Sequence, residues 1–574
     1  METLPIRSEA LGRSFLLATD GRSSQGLQLI SVHHTGVADA AGELSTLRQE
    51  FHRCLTRRAD ALFELTEAVL CADGPVRSVA ELSLAGEHRR GHGSGYAALA
   101  RGRVDIDRLR TALSGVSLPR AADGRLVLAV DVTCWLRPEA HTCPQRILCH
   151  TYGRGKDQHI MVPGWPYSVV VALESGRSSW TAPLDAVRLT PGDNAANVTA
   201  RQIRSVVDRL VAAGHWRPGD PDILLVADAG YDGPRLSHLL ADLPITVLVR
   251  MRTDRVLHRP VPRQPPATLG RPRRHGDEFA FGDPATWGQP DAVTETTTRL
   301  YGPALIRAGD RLHPRLTHRI AWASHNGPLP IIEGTVIRLE VQRLPSGAIP
   351  KPVWLWHSRT GLGHAEVDLA WQAFLRRFDI EHTFRMLKQT LGWTTPKLRS
   401  PEAADRWTWL LLTAYTQLRL ARDLTADLRR PWEKPRPAQR LTPARVRRGF
   451  PNLRPQLACP AGVPKPSRPG PGRPAGTPNQ RPASRHDVHT VTSTNTRKRK
   501  HGKNTTSSNP RPHRTGGLFQ DRLWRTFGGE VVGPRPGRVC GCHDRLWLRW
   551  RSWSVRCSRG FRRCRLRVSR TLAR

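Results

Sequence analysis

Arg125-Leu-Val-Leu-Ala-Val-Asp131 and Asp222-Ile-Leu-Leu-Val-Ala-Asp228 are two strings of β-forming apolar residues, each closed by a carboxylate. Apolar runs this short, without polar alternation, fit strands buried on both faces. A charge that ends such a strand sits beside a turn, where its oxygens reach a cleft while the backbone stays fixed. The same residue serves equally well as a turn former or helix cap. After Asp228 comes Ala229-Gly230-Tyr231-Asp232, in which glycine lets the chain turn sharply.

Outward from these runs the pattern is layered. Arg146–Tyr152, Tyr167–Leu173 and Ile245–Arg250 read as further strands. Thr199–Ala213 and Arg235–Leu243 read as amphipathic helices. Strands and helices in this order predict a mixed α/β core, its first part spanning residues 119–254. Upstream, Leu47, Phe51 and Leu55 open a helical period, and residues 45–118 form a helical unit expected to bind DNA. Residues 1–44 are expected to be a poorly ordered leader, or sequence upstream of the natural start. Residues 255–362 read as a Pro/Arg/Gly-rich loop and a β insertion, with strand-like runs at Thr317–Ala323, Ile331–Val341 and Val353–Trp356. Residues 363–430 return to helix, one from Ala365 to Leu391 and one from Ser400 to Leu428, the latter opened by a Ser400-Pro401 cap.

The charge is uneven. The 574 residues carry 89 Lys+Arg against 49 Asp+Glu, a formal charge of +40. From Pro431 to the end there are 34 basic and 5 acidic residues, so the body is only mildly basic. Such a charge argues against a free metabolic enzyme and for a polyanionic partner, nucleic acid first. Residues 431–574, rich in Pro, Gly and Arg, are expected to be a disordered basic tail, and residues 517–574 to lie outside the natural reading frame. No apolar run reaches the length of a membrane span, and Phe15-Leu16-Leu17-Ala18 is too short for a signal peptide. Ten cysteines without paired spacing in the body read as free thiols of a reducing cytoplasm, the expected location, at the nucleoid.

The stretch Trp371-Gln-Ala-Phe374-Leu-Arg-Arg377-Phe-Asp-Ile-Glu381-His-Thr-Phe-Arg-Met-Leu-Lys388-Gln-Thr-Leu391 puts Phe374, Arg377, Glu381 and Lys388 at steps of three, four and seven. Those steps align four side chains on one helical face. The line is either a solvated salt-bridge face or one wall of a cleft. The abundance of apolar neighbours, Phe378, Ile380 and Phe384 among them, favours a packed helix and a cleft.

The order strand-Asp, strand-Asp, helix-Glu resembles the catalytic core of DDE transposases encoded by bacterial insertion sequences. One subgroup carries Tyr-x2-Arg-x3-Glu-x6-Lys on the last helix, and Phe374, Arg377, Glu381 and Lys388 keep every interval, with Phe in place of Tyr. That subgroup also has a β insertion before the Glu. The resemblance covers roughly residues 45–430. It implies a ribonuclease H-like mixed sheet flanked by helices. It further implies two Mg²⁺ ions, with Mn²⁺ as a substitute, held by Asp131, Asp228 and Glu381, with Asp131 bridging both. Arg377 and Lys388 would then hold DNA phosphates, and loss of the tyrosine hydroxyl at Phe374 would remove one such contact. The implied partners are double-stranded DNA, as terminal inverted repeats and target, with a dimer expected on the DNA and no membrane.

Lesser candidates surround this set. His150, Tyr152, Arg154, Lys156 and His159 either line a DNA channel or form a solvated loop. His382 is either a partner of Glu381 or a surface residue, and Trp393 either stacks on a flipped base or packs in the core. Arg271-Pro-Arg-Arg274 and Gly472-Arg473-Pro474 have the form of minor-groove arms, and Arg497–Lys500 that of a nonspecific phosphate contact. Cys540, Cys542, His543, Cys557 and Cys564 fit no common zinc finger. Three functions follow: a DNA transposase, a metal-dependent DNA endonuclease without strand transfer, or a catalytically decayed DNA-binding protein.

Overall fold

The computed structural model describes residues 24–489 except 92, 153–158, 177, 263–272, 299–300, 320–321, 324, 345–346, 348, 466–475 and 477–481. Its spine is a mixed sheet of ten strands: β1 (Val127–Leu136), β2 (Ile147–Tyr152), β3 (His159–Leu173), β4 (Thr181–Arg188), β5 (Ile223–Ala227), β6 (Ile245–Met251), β7 (Ala292–Thr298), β8 (Gly302–Leu312), β9 (Gly334–Val341) and β10 (Val353–His357). The order is β7-β8-β9-β10-β6-β5-β1-β3-β2, and β4 also pairs with β3. Strands β1, β5 and β6 are parallel, and the rest of the sheet is antiparallel.

Two apolar layers sandwich the parallel strands, which explains their unbroken apolar runs. Leu128, Val130, Leu225 and Ala227 face α5 (Ala195–Ala212) and α6 (Gly233–Leu239). Val127, Ala129, Leu224 and Val226 face the opposite layer. That layer holds α7 (His364–Arg376), α8 (Asp379–Arg385) and α9 (Pro401–Leu420). The same core takes in α1 (Ser24–Cys54), α2 (Ala59–Cys71), α3 (Gly93–Arg101) and α4 (Ile106–Ser114), because α9 packs on α1, α2 and α3. Inside it, Arg48 makes a two-pronged ion pair with Glu67 at 2.7 and 2.8 Å and also donates to Gln417 at 2.8 Å. Among the described residues no helix is long and apolar enough to cross a membrane.

The structure departs from the sequence reading in several places. Helix α1 begins at Ser24, inside the stretch expected to be a leader. Strand β1 runs five residues past Asp131 to Leu136, so that carboxylate is mid-strand rather than terminal. The β insertion adds its strands to the main sheet at the β6 edge, and it includes β7 and β8, which the sequence did not suggest. The described residues of Thr317–Ala323 form no strand. The expected helix from Ala365 to Leu391 is broken: Arg377 and Phe378 separate α7 from α8, and Met386–Thr390 is a π-helical turn. Gly392 ends that turn at φ +74°, where a Cβ would meet the Val76 carbonyl oxygen at 2.7 Å.

The basic tail is also not uniformly disordered. Its first part forms α10 (Pro443–Leu453), which packs on α2 and α9. Phe450 is fully buried, and the buried Arg447 donates to the carbonyls of Val69 (2.9 Å) and Gly74 (2.7 Å). Arg454 reaches Glu67 at 3.1 Å, joining the Arg48 ion pair. Truncation after Arg430 would remove this packed helix and the Arg454 contact. We expect that truncation to lower the urea midpoint sharply or prevent folding, because it uncovers a buried ion pair. Phe450→Ala alone is expected to cost about 3–5 kcal/mol in the same melt. An unchanged midpoint for both variants would show that α10 does not pack on the body.

His357, in β10, is buried, and its Nδ1 accepts the Arg359 amide at 3.0 Å. Burial, helped by the charges of Arg125 and Arg359, lowers its pKa from 6.5 to about 3. The unfolded chain therefore binds a proton that the folded chain refuses between those values. Stability from this group is full above 6.5 and falls as pH drops toward 3, by up to about 1.4 kcal/mol per pH unit. We expect His357→Leu to flatten the acid side of the stability curve in urea melts; a curve parallel to wild type would remove His357 as its source.

Candidate active site

Strand register brings the first two carboxylates together. The parallel ladder pairs Ala129 with Val226 and ends there, two residues before Asp131 on β1 and Asp228 just past β5. Side chains alternate along a strand, so Asp131 and Asp228 keep the face of Ala129 and Val226, which is the layer holding α7–α9. Each carboxylate is pinned by its own backbone: Asp131 Oδ1 accepts the Val132 amide at 2.8 Å, and Asp228 Oδ1 accepts the Ala229 amide at 2.7 Å. The second acid of that turn, Asp232, instead caps α6 by accepting the Arg235 amide at 3.1 Å. Cap and candidate catalyst thus occur four residues apart, on different acids.

The third carboxylate arrives on α8. Beneath that helix, Thr383 Oγ1 meets Thr181 Oγ1 at 2.8 Å and Tyr415 Oη at 3.2 Å, tying α8 to β4 and α9. Arg376 pairs with Asp379 and donates to the Ser178 carbonyl at 3.0 Å, fixing the joint from the other side. At the joint, Arg377 points back at the sheet. Its guanidinium lies 3.5 Å from Asp131 Oδ2, 3.7 Å from Asp228 Oδ2 and 3.7 Å from Glu381 Oε1. Three acids far apart in sequence therefore converge on one cation. Asp228 and Glu381 share the same Arg377 nitrogen, so those oxygens are no more than twice 3.7 Å apart.

The convergence strains the acids' ionisation. Desolvation raises Asp131 to about 7; Arg377 opposes this, while Asp228 and Glu381 add to it. Glu381 is raised for the same first reason, opposed by Arg377 and reinforced by Asp228. Three hard oxygen donors short of positive charge are a donor set that suits Mg²⁺ or Mn²⁺. As the side chains stand, no group of three His, Cys, Asp or Glu among the described residues is arranged to hold a metal. The guanidinium occupies the point where the three carboxylates meet.

The remaining candidates separate. Arg377 is 2% exposed and engaged by the acids, so in this arrangement it is a counter-ion rather than a surface phosphate clamp. Phe374, a DNA-binding candidate by its place in the motif, is also 2% exposed; its ring lies 5.9 Å from the Arg377 guanidinium and packs against Phe378, so it is a core residue. Trp393 is buried, donates to Thr408 Oγ1 at 2.8 Å and meets Tyr167 edge-on at 5.4 Å, so it is a core residue and not a stacking platform. Lys388 is half-buried within the π turn, its Nζ 5.8 Å from the Trp393 ring. His382 is half-buried, and burial, with Arg385 and Arg376, keeps it toward its neutral form. His150 lies on β2. Tyr152 and His159 belong to β2 and β3, and Arg273 and Arg274 follow a stretch outside the described residues. Arg154, Lys156, Arg271, Gly472, Arg473, Pro474, Arg497–Lys500 and the Cys540–Cys564 group lie outside the described residues.

Two neighbours were missed in the sequence. Tyr231 buries its hydroxyl in the site region, where burial, then Asp131 and Asp228, raises its pKa well above normal. Its place in the turn after Asp228 was the available clue. Phe378 is 41% exposed, with its ring 4.8 Å from the Arg377 guanidinium.

A crowded carboxylate cluster weakens the fold that holds it. A shift from 3.8 to about 7 at Asp131 corresponds to roughly 4 kcal/mol at full strength, and its partial exposure reduces this to roughly 1–3 kcal/mol. We expect Asp131→Asn, in metal-free buffer near neutral pH, to raise the melting midpoint by a few degrees. A lowered midpoint would mean that the ion pair with Arg377 outweighs desolvation.

Against this geometry, the sequence comparison is specific in extent. A family described as DDE superfamily endonuclease matches residues 50–305, a span that contains Asp131 and Asp228 and ends before Glu381. No curated protein matches the chain. Over that span the chain is similar to DDE superfamily endonucleases, which supports a nuclease type of function.

Proposed function

We propose that the chain is a DNA transposase of the insertion-sequence kind, cutting element ends and joining them to target DNA. The observation that carries the reading is the meeting of Asp131, Asp228 and Glu381 at one point, supplied by two parallel strands and a helix. The β4-β3-β1-β5-β6 part of the sheet, with β1, β5 and β6 parallel and β3 reversed, is compatible with a ribonuclease H-like core. Asp131, Asp228 and Glu381 would hold divalent cations. When bound, Mg²⁺ there supplies positive charge against the negative charge that develops on the attacking and leaving oxygens of a phosphodiester.

The chain's own residues do the rest. The amides of Val132 and Ala229 fix the two aspartates so that their free oxygens face the cleft. The threonine–tyrosine contacts under α8 hold Glu381 at the same depth. Lys388 supplies a point charge for a phosphate, without reading sequence. The same three acids would also serve an endonuclease that stops at cleavage; the family description favours that reading as a second one. A dimer on paired DNA ends belongs to the first reading alone.

The test uses DNA carrying the inverted repeats that flank the gene, incubated with the full chain and Mg²⁺. Joined products are expected from wild type. Asp131→Asn, Asp228→Asn and Glu381→Gln are each expected to lower cleavage by at least about 10³-fold while leaving DNA retention in a gel shift within a few-fold. Nicks without joining would select the endonuclease. Full cleavage by any variant would remove that acid from the site, and DNA binding without cleavage by wild type would leave only a decayed DNA-binding protein.

A further inference from the structure

We infer that Arg377 is the resident cation of the acidic site, which divalent metal must displace, so that this side chain sets the metal concentration at which the site loads. The inference rests on the reading of Asp131, Asp228 and Glu381 as metal-holding acids and assigns Arg377 a regulatory part within it.

The geometry separates Arg377 from an ordinary structural arginine. Arg48 grips one carboxylate with two bonds of 2.7 and 2.8 Å, the fork-to-fork arrangement of a committed pair. Arg377 grips none: its three contacts lie at 3.5, 3.7 and 3.7 Å, and only the one to Asp131 is short enough for a hydrogen bond. Its Nε is buried without a hydrogen-bond partner among the described residues. One charge is thus shared loosely among three acids, none of which it satisfies. Oxygen ligands approach Mg²⁺ at about 2.0–2.1 Å. A doubly charged ion at that distance holds the same oxygens far more strongly than a singly charged fork at more than 3 Å.

A displaced guanidinium also needs somewhere to go, and the fold supplies it. Arg377 stands in the break between α7 and α8, and its amide is shared between the carbonyls of Ala373 (3.2 Å) and Phe374 (3.1 Å). The neighbouring Phe378 ring is exposed and lies 4.8 Å from the guanidinium. A cation leaving the acids can stay on that aromatic face at the mouth of the cleft. There it meets solvent, or the phosphate of a bound strand. Metal loading and the release of an arginine toward substrate become one event.

The experiment titrates MgCl₂ and, separately, CaCl₂ into the full chain without DNA, read by calorimetry and by the shift in melting midpoint. Wild type is compared with Arg377→Met, Arg377→Gln and Asp228→Asn. Removing the internal competitor is expected to tighten divalent binding at least about tenfold and to enlarge the metal-induced midpoint shift, while Asp228→Asn weakens both. Arg377→Gln keeps a polar end without the charge, so it carries the test should Arg377→Met fail to fold. Equal or weaker metal binding in the Arg377 variants, with wild type still binding metal and cleaving DNA, would overturn the counter-ion role and leave the nuclease reading standing. Metal binding that is absent from wild type and unaffected by Asp228→Asn, with no cleavage, would overturn both.

Discussion

Three carboxylates gathered around one guanidinium is the constraint from which the rest of this architecture can be understood. Desolvation by the sheet and its helices raises the pKa values of Asp131 and Glu381, and the neighbouring like charges raise them further. A fold tolerates such a cluster only when the surrounding backbone leaves the acids no way to spread. Here the aspartates stand on adjacent parallel strands, the least deformable part of the sheet. The glutamate stands on a helix whose underside is hydrogen-bonded to β4 and α9. The cluster is held by rigid elements, and the instability it stores is the kind that functional sites carry.

The supporting layers are arranged to the same end. Helix α9 lies between the N-terminal helices and the sheet, and its buried Thr408 and Tyr415 reach Trp393 and Thr383, both just downstream of Glu381. The N-terminal helices share one continuous core with the sheet and with α10. Rigidity at the site therefore draws on residues from Arg48 to Arg454, although the acids themselves span a much shorter stretch.

How much of this was legible follows from local chemistry. The buried runs before Asp131 and Asp228 were readable because strands covered on both faces have no polar alternation to confuse. The equal level of the two acids was not, since register between strands is set by long-range packing. The break at Arg377–Phe378 was invisible because neither residue opposes helix; tertiary contacts to Asp131 and Asp228 decide it. Strand β7, Ala292–Thr298, has the alternation of a half-exposed strand, but its Thr and Glu side chains leave it without the apolar run that marks the other strands. Helix α10 was hidden by composition. Its arginines resemble a solvated tail, yet Arg447 is buried because backbone carbonyls of Val69 and Gly74 satisfy its donors.

A chain with a formal charge of +40 keeps a negative centre where three acids meet. A phosphodiester approaching that centre is attracted by the molecule as a whole and repelled by its destination. Lengthening the contacts or adding surface arginines would not remove that conflict, because exposed charges are screened within about 10 Å while buried ones are not. A cation inside the cluster does remove part of it. Arg377 neutralises one of the three acids at the depth where repulsion is greatest, and it does so without the cost of leaving a guanidinium buried and unpaired. On this view the arginine matters for the charge it holds among the acids before substrate arrives, as well as for any phosphate it meets afterwards.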